Sequence, residues 1–297
     1  MLIKNLFTGK KPVISFEIFP PKKDSDIETI YSTIDGLKDL NPDFISVTYG
    51  AGGSTSNKTI EIASIIKNKY YIESLAHLTS VSLSKEKLNN ILTELKKNNI
   101  NNILALRGDF PHDMSEEDKV NRDFLYASDL AAEIKNNGGF SIGGACYPEG
   151  HLESINLEND ILNLKKKVDN GTDFLITQLF FDNELFYKFK EAALKNSITI
   201  PVSAGIMPVT SKKQIERIVE LSGATLPAKF KRIMDKYEHN PQALKEAGIA
   251  YATEQIIDLL SWGIDGIHLY TMNRPETARK IIQNIAQIRN VLENTAI

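Results

Sequence analysis

Short apolar runs alternate with longer amphipathic ones eight times along this chain, which predicts a (β/α)8 barrel with extra helices ahead of the eighth strand. Three observations carry the prediction. Runs rich in β-branched and aromatic residues fall at 12–19, 43–49, 74–79, 101–107, 141–147, 173–180, 200–206 and 265–271. The segments between them repeat apolar residues at i, i+3, i+4 and i+7, as a helix that buries one face must. No linker, composition shift or internal repeat divides the chain, so one barrel domain is expected over residues 1–297. The same alternation also fits a doubly wound open sheet, which pattern alone does not separate from a closed one.

The first run, Val13 to Phe19, ends at Pro20-Pro21, because neither proline can donate to a sheet ladder. Alternation along a strand puts Ser15, Glu17 and Phe19 on one side and Ile14, Phe16 and Ile18 on the other. Glu17 is therefore a carboxylate inside an apolar strand. Either it forms an internal ion pair, or burial raises its pKa and makes it a proton donor near neutrality. Helical spacing then appears in Leu88, Ile91, Leu92 and Leu95, again in Ile215, Ile218 and Val219, and last in Ala278, Ile281, Ile282, Ile285 and Ile288. The stretch from Ser222 to Trp262 exceeds what one crossover needs, and Pro227 and Pro241 break it into two extra helices.

Composition narrows the class. Hydrophobic residues at 42% and charged residues at 25% suit a soluble protein with a sizeable core. A net charge of -3, with Lys and Arg scattered, leaves no basic footprint for nucleic acid. Cys146 is the only cysteine, which excludes an internal disulfide and a multi-thiolate metal site. It reads equally as a small core residue or a reactive thiol. The start carries Lys4, Lys10 and Lys11 without a long apolar core, and no segment approaches the roughly 18 apolar residues of a membrane span. An untargeted protein of the reducing cytoplasm, without a membrane partner, is expected.

In a barrel of this kind the site forms at the carboxyl ends of the strands. Uncommon polar residues recur there: Glu17, then Thr48 and Tyr49, His77, Arg107-Gly108-Asp109, Tyr147 with His151, Gln178, and His268 and Tyr270 with Arg274. A merely solvated rim would favour Lys and Glu instead. The loop Gly50-Ala51-Gly52-Gly53-Ser54-Thr55 fits neither a dinucleotide fingerprint nor a Walker loop, and a tight turn explains it as well as a phosphate cradle does. Arg107-Gly108-Asp109 reads as a salt-bridged turn or as a guanidinium and a carboxylate presented at the mouth. His77, His151 and His268 with Asp109 or Glu17 would be the ligands of a zinc or iron site if they converge. Asp160, Asn163, Lys166 and Lys167 lie in a helix pattern where an exposed charged face is the default, although lysines there would also meet a phosphate.

Taken together, Ser15-Phe16-Glu17-Ile18-Phe19-Pro20-Pro21, Val47-Thr48-Tyr49-Gly50-Ala51, His77-Leu78-Thr79, Ala105-Leu106-Arg107-Gly108-Asp109, Tyr147-Pro148-Glu149-Gly150-His151, Ile176 to Asp182 and Gly205-Ile206-Met207-Pro208-Val209 closely resemble the 5,10-methylenetetrahydrofolate reductase family of the bacterial, single-domain kind. The resemblance runs from about residue 12 to residue 275, in the family's order and spacing. It implies a flavoprotein oxidoreductase of one-carbon metabolism and methionine supply. Such an enzyme holds FAD noncovalently at the barrel mouth and relays hydride from NADH or NADPH to a reduced folate in two steps, giving 5-methyltetrahydrofolate. Glu17 matches the family's general acid and Asp109 the aspartate near flavin and pterin. Gln178 matches a contact to folate and nicotinamide, and Thr48 a contact to nicotinamide. For the flavin the matching positions are Tyr49, Ala51, His77, Arg107, Gly108, Asp109, Ala127, Tyr147, His151, Ser154, Asp160, Asn163, Lys166 and Lys167. Gln214 and Arg274 match further folate contacts. No metal is implied, and family members commonly form homo-oligomers. The alternatives are another FAD-binding barrel oxidoreductase of the proline dehydrogenase kind, a metal-dependent barrel enzyme, or a catalytically silent pterin or nucleotide sensor.

Overall fold

The computed structural model describes residues 1–9, 11–21, 27–49, 56–111 and 114–294. Its eight strands are β1 (Val13–Ile18), β2 (Phe44–Val47), β3 (Glu73–Thr79), β4 (Asn102–Leu106), β5 (Ser141–Cys146), β6 (Phe174–Thr177), β7 (Val202–Ile206) and β8 (Gly266–Tyr270). All pair in parallel in chain order, and β1 pairs with β8 as well as with β2, Ser15 lying between Phe44 and His268. That closing pair rules out the open doubly wound sheet. Most strands are shorter than the runs that predict them, because the apolar pattern continues into the loops at the mouth. Gln178 thus stands one residue past β6.

Around the barrel run α1 (Ile27–Lys38), α2 (Ser56–Asn68), α3 (Lys85–Lys97), α4 (Glu116–Val120), α5 (Ala127–Asn137), α6 (Leu157–Asp169), α7 (Asn183–Lys195), α8 (Lys212–Ser222), α9 (Ala228–Tyr237), α10 (Pro241–Trp262), α11 (Pro275–Asn284) and α12 (Ala286–Asn294). In α3, Ser84 caps the first turn by accepting from the Lys87 N–H, and Leu88, Ile91, Leu92 and Leu95 are buried. Each such burial contributes about 1.5–3 kcal/mol relative to exposure. The two extra helices before β8 are α9 and α10, but their prolines start them rather than interrupt them. Pro227 is the N-cap of α9 and Pro241 the first residue of α10, where a missing N–H costs nothing. The single last helix expected from its periodicity is divided at Ile285 into α11 and α12. Two elements had no readable pattern: α4, and a 3-10 helix at Ile3–Thr8 that closes the barrel floor. There the Ile3 N–H donates to Asn102 Oδ1 at 2.7 Å and the Phe7 ring lies 5.4 Å from Phe174.

Strand alternation sorts the barrel interior by height. At the amino ends Val13, Phe44, Leu75, Leu104 and Phe174 pack on Ile3 as an apolar floor. Further along the same strands the inward residues are Ser15, Ser46, His77, His268 and Glu17, all buried. Outward, Ile14, Phe16 and Ile18 join the layer between sheet and helices. Three aspartates, each just before a strand, tie down the floor: Asp43, Asp173 and Asp265 accept from the N–H groups of Ile14, Ile142 and Val202 at 2.8–2.9 Å. A dry floor under a polar upper layer leaves the carboxyl-end mouth as the place for chemistry. Among the described residues, no helix is long and apolar enough to cross a membrane.

Candidate active site

Glu17 is inward on β1, near its carboxyl end, where β2, β3 and β8 surround it. One of its carboxylate oxygens lies 3.4 Å from His268 Nε2, 3.4 Å from His77 Nε2 and 3.5 Å from Ser46 Oγ. On the far side of His268, Nδ1 is 2.7 Å from Ser15 Oγ, and that hydroxyl donates to the Ile267 carbonyl at 3.3 Å. The 2.7 Å contact to Ser15 fixes the His268 ring so that its other nitrogen, Nε2, is presented to the Glu17 carboxylate. The backbone beneath is clamped from β8: Thr271 Oγ1 donates to the Glu17 carbonyl at 2.6 Å, and the Asn273 side chain both accepts from the Phe19 N–H and donates to its carbonyl, each at 2.9 Å.

The electrostatics favour the internal pair of the two readings of Glu17. Burial is the largest single influence and raises its pKa, but the His268 hydrogen bond, the charge interactions with His77 and His268, and the Ser46 hydroxyl together bring it below the ordinary carboxylate value. Burial pushes His77 down to about 4 even with Glu17 beside it. Above that pH His77 is neutral, so the downward pull on Glu17 rests on His268 and Ser46. His77 Nε2 is buried and makes no hydrogen bond.

A second group gathers on the loops after β4 and β5 and on α6. Gly108, at φ 80 with Thr79 packed where a Cβ would sit, turns the chain sharply after Arg107. Arg107 does not pair with Asp109, as a plain Arg-Gly-Asp turn would require; its fork is filled by Glu153. Asp109 itself is exposed. Tyr147 stands edge-on to His151 at 4.7 Å, and burial pushes its hydroxyl up to about 12. Ser154 donates to buried Asp160 at 2.8 Å, and half-buried Lys167 donates to the Ala145 carbonyl at 2.6 Å. Burial lowers the Lys167 pKa, and among the described residues no carboxylate is within ion-pair distance of it. Asn163 and Lys166 are exposed on the same helix, and Ala127 opens α5 in a buried position. The Cys146 thiol is buried and raised to about 12, which leaves it a core residue and not a nucleophile.

A third group spans β7 and β8. Arg274 donates to Thr210 Oγ1, which in turn donates to Gln214 Oε1 at 3.1 Å. Gln178 has its Oε1 engaged by the Leu179 N–H at 2.9 Å, so both glutamines keep their amide NH2 groups as donors. Thr48 and Tyr49 follow β2, half-buried. Ala51 and loop 50–55 lie outside the described residues. The three histidines do not converge: His77 and His268 flank Glu17 while His151 stands edge-on to Tyr147. Among the described residues, no group of three or more His, Cys, Asp or Glu is arranged to hold a metal ion. Sequence reasoning did not single out Ser46, Glu153, Thr271 or Asn273, although Glu153 precedes Ser154, Thr271 follows Tyr270 and Asn273 precedes Arg274.

The residues present fit a phosphate-bearing heterocycle: a half-buried guanidinium, a half-buried ammonium without a carboxylate partner among the described residues, and a buried imidazole nitrogen without a hydrogen bond. The chain is 36% identical to methylenetetrahydrofolate reductase (NADH) 1 of Arabidopsis thaliana over 96% of its length, but spans about half (50%) of that longer relative. It is 34% identical to 5,10-methylenetetrahydrofolate reductase of Escherichia coli K12, covering 92% of this chain and 90% of that one. A Clostridium thermocellum protein that binds two copies of 5-methyl-5,6,7,8-tetrahydrofolic acid shares the fold, with a TM-score of 0.66 at 17% identity over 98% of this chain and 100% of its own. Residues 2–286 match the family model for methylenetetrahydrofolate reductase, and the chain belongs to that family.

Proposed function

We propose that this chain reduces 5,10-methylenetetrahydrofolate to 5-methyltetrahydrofolate with electrons from NADH, using FAD held noncovalently at the barrel mouth. The observation that carries the reading is the buried Glu17, linked through His268 to Ser15, at the carboxyl end of a closed barrel. Opening the five-membered ring of the substrate requires a proton on its bridging nitrogen, and Glu17 is the acidic group inside the mouth. The contacts with His268 and Ser46 favour the ionised form of Glu17. Ligands that fill the mouth expel water and move that balance toward the carboxylic acid, the form able to donate. Ser15 holds His268 in the orientation that presents Nε2 to Glu17.

Bound FAD would supply the two-electron chemistry between nicotinamide and folate. Arg107, Gly108, Tyr147, His151, Ser154, Asp160 and Lys167 would hold it, with His77, Tyr49, Ala51, Ala127, Asn163 and Lys166 completing the set. Asp109 places a negative charge at the rim, where it favours a cationic substrate. Gln178 and Thr48 orient the nicotinamide, and Gln178, Gln214 and Arg274 present donors to the carbonyls and carboxylates of the folate. Relatives named as NADH enzymes support NADH over NADPH as donor. We assign the protein to the cytoplasm and expect a homo-oligomer, which sedimentation or light scattering of the purified chain would measure. The reading is tested by mixing the purified protein anaerobically with NADH and then with methylenetetrahydrofolate. Bleaching and then recovery of the flavin colour is expected; a colourless protein, or bleached flavin that folate does not restore, would overturn it.

A further inference from the structure

Arg107 and Glu153, on the loops after β4 and β5, meet as a bidentate pair, with Nη1 2.5 Å from one carboxylate oxygen and Nη2 2.8 Å from the other. The guanidinium is held independently of that partner: it lies 5.0 Å from the centre of the Phe110 ring, and its Nε donates to the Gly108 carbonyl at 3.3 Å. Glu153 is the more exposed half. Its side chain is 59% exposed against 21% for Arg107, it follows Gly150 at φ 85, and its neighbours Leu152 and Ile155 are exposed to solvent. A carboxylate and a phosphate offer the same pair of oxygens to a guanidinium fork. Around this fork stand the other groups assigned to the cofactor: His151, whose Nδ1 accepts from the Glu153 N–H at 3.1 Å, the Ser154–Asp160 pair, and Lys167.

Resting on the reading that FAD binds at this mouth, we propose that Glu153 is an internal competitor for a phosphate of that cofactor. Its carboxylate fills the Arg107 fork and must leave it when a phosphorylated flavin takes its place. Glu153 therefore sets how tightly the dinucleotide is held without touching the reacting ring, and it acts only on ligands that carry phosphate. Because the pair is partly exposed, its removal should change affinity by about fivefold, the upper range for exposed ion pairs, and the effect should shrink in high salt.

The test uses the full chain, stripped of flavin and titrated with FAD and with riboflavin by flavin fluorescence, at low and high salt. Wild type is compared with Glu153→Gln, which keeps the side chain's shape, and with Glu153→Ala, and thermal melting checks that each variant is folded. Both variants should bind FAD about fivefold more tightly at low salt while riboflavin affinity stays as in wild type. Unchanged or weaker FAD binding, or equal tightening for riboflavin, would overturn the inference and leave Glu153 as a loop pin. If wild type binds neither flavin, the cofactor reading itself falls, and the inference with it.

Discussion

Acidification should destabilise this protein through one side chain, His77. It is 6% exposed, its Nε2 has no hydrogen bond, and the nearest charged group, Glu17, is 3.4 Å away. Burial lowers its pKa from 6.5 to about 4; Glu17 opposes that shift and His268 adds to it. In the unfolded chain the imidazole titrates near 6.5. Between these values the unfolded state binds a proton that the folded state does not, so stability falls as pH drops from 6.5 to about 4. At about 1.4 kcal/mol per unit, the loss reaches about 3 kcal/mol by the lower end. Above 6.5 this group contributes no pH dependence. Glu17, whose folded pKa is lowered, adds a further loss as pH falls below the ordinary carboxylate value and through its folded pKa. The assay is urea unfolding of wild type and His77→Gln at a series of pH values from about 7 to about 4. The difference between the two curves isolates the imidazole, because every other group titrates in both. Wild type should lose about 3 kcal/mol relative to the variant across the window; parallel curves would refute the reasoning.

Two other substitutions test the scaffold. In Gly205→Ala, the new Cβ would lie 2.3 Å from the Thr177 carbonyl oxygen and 2.7 Å from the Tyr270 ring, which is itself bonded to that carbonyl. Neither neighbour can retreat, so a loss of about 1–3 kcal/mol in denaturant unfolding is expected, and an unchanged midpoint would contradict the packing described. Asp173→Ala removes the acceptor of the Ile142 N–H and the partner of Lys4 at the barrel floor. It should cost about 1–2 kcal/mol in the same assay while flavin affinity stays that of wild type; a change in flavin affinity would show that floor and mouth are coupled.

Much of the fold was legible because barrel strands and their helices carry strong periodic patterns, and all eight runs became strands. The terminal 3-10 helix was not, since six residues with one buried isoleucine show no period. The division at Ile285 was hidden because α11 and α12 continue the same apolar stripe. At the site, position along a strand identified Glu17, His77 and His268 as inward groups, but not their contacts. Pairing between β1, β2 and β8 decides that Ser15 and Ser46 meet His268 and Glu17, and register is a property of the closed sheet. That is also why the two readings of Glu17 stayed open: burial can be read from an apolar run, whereas a histidine 251 residues away cannot. Glu153 was missed for a related reason, since a glutamate in a loop looks like any solvated charge until its guanidinium partner is known.

The measurement that bears most directly on the account is the pair of half-reactions of Glu17→Gln, followed anaerobically by flavin absorbance. Glutamine keeps the shape of the side chain and removes its proton. Flavin binding and reduction by NADH should match wild type, while reoxidation by methylenetetrahydrofolate should slow by roughly 100-fold or more, the usual scale of a lost general acid. Reoxidation at the wild-type rate would contradict the role given to Glu17.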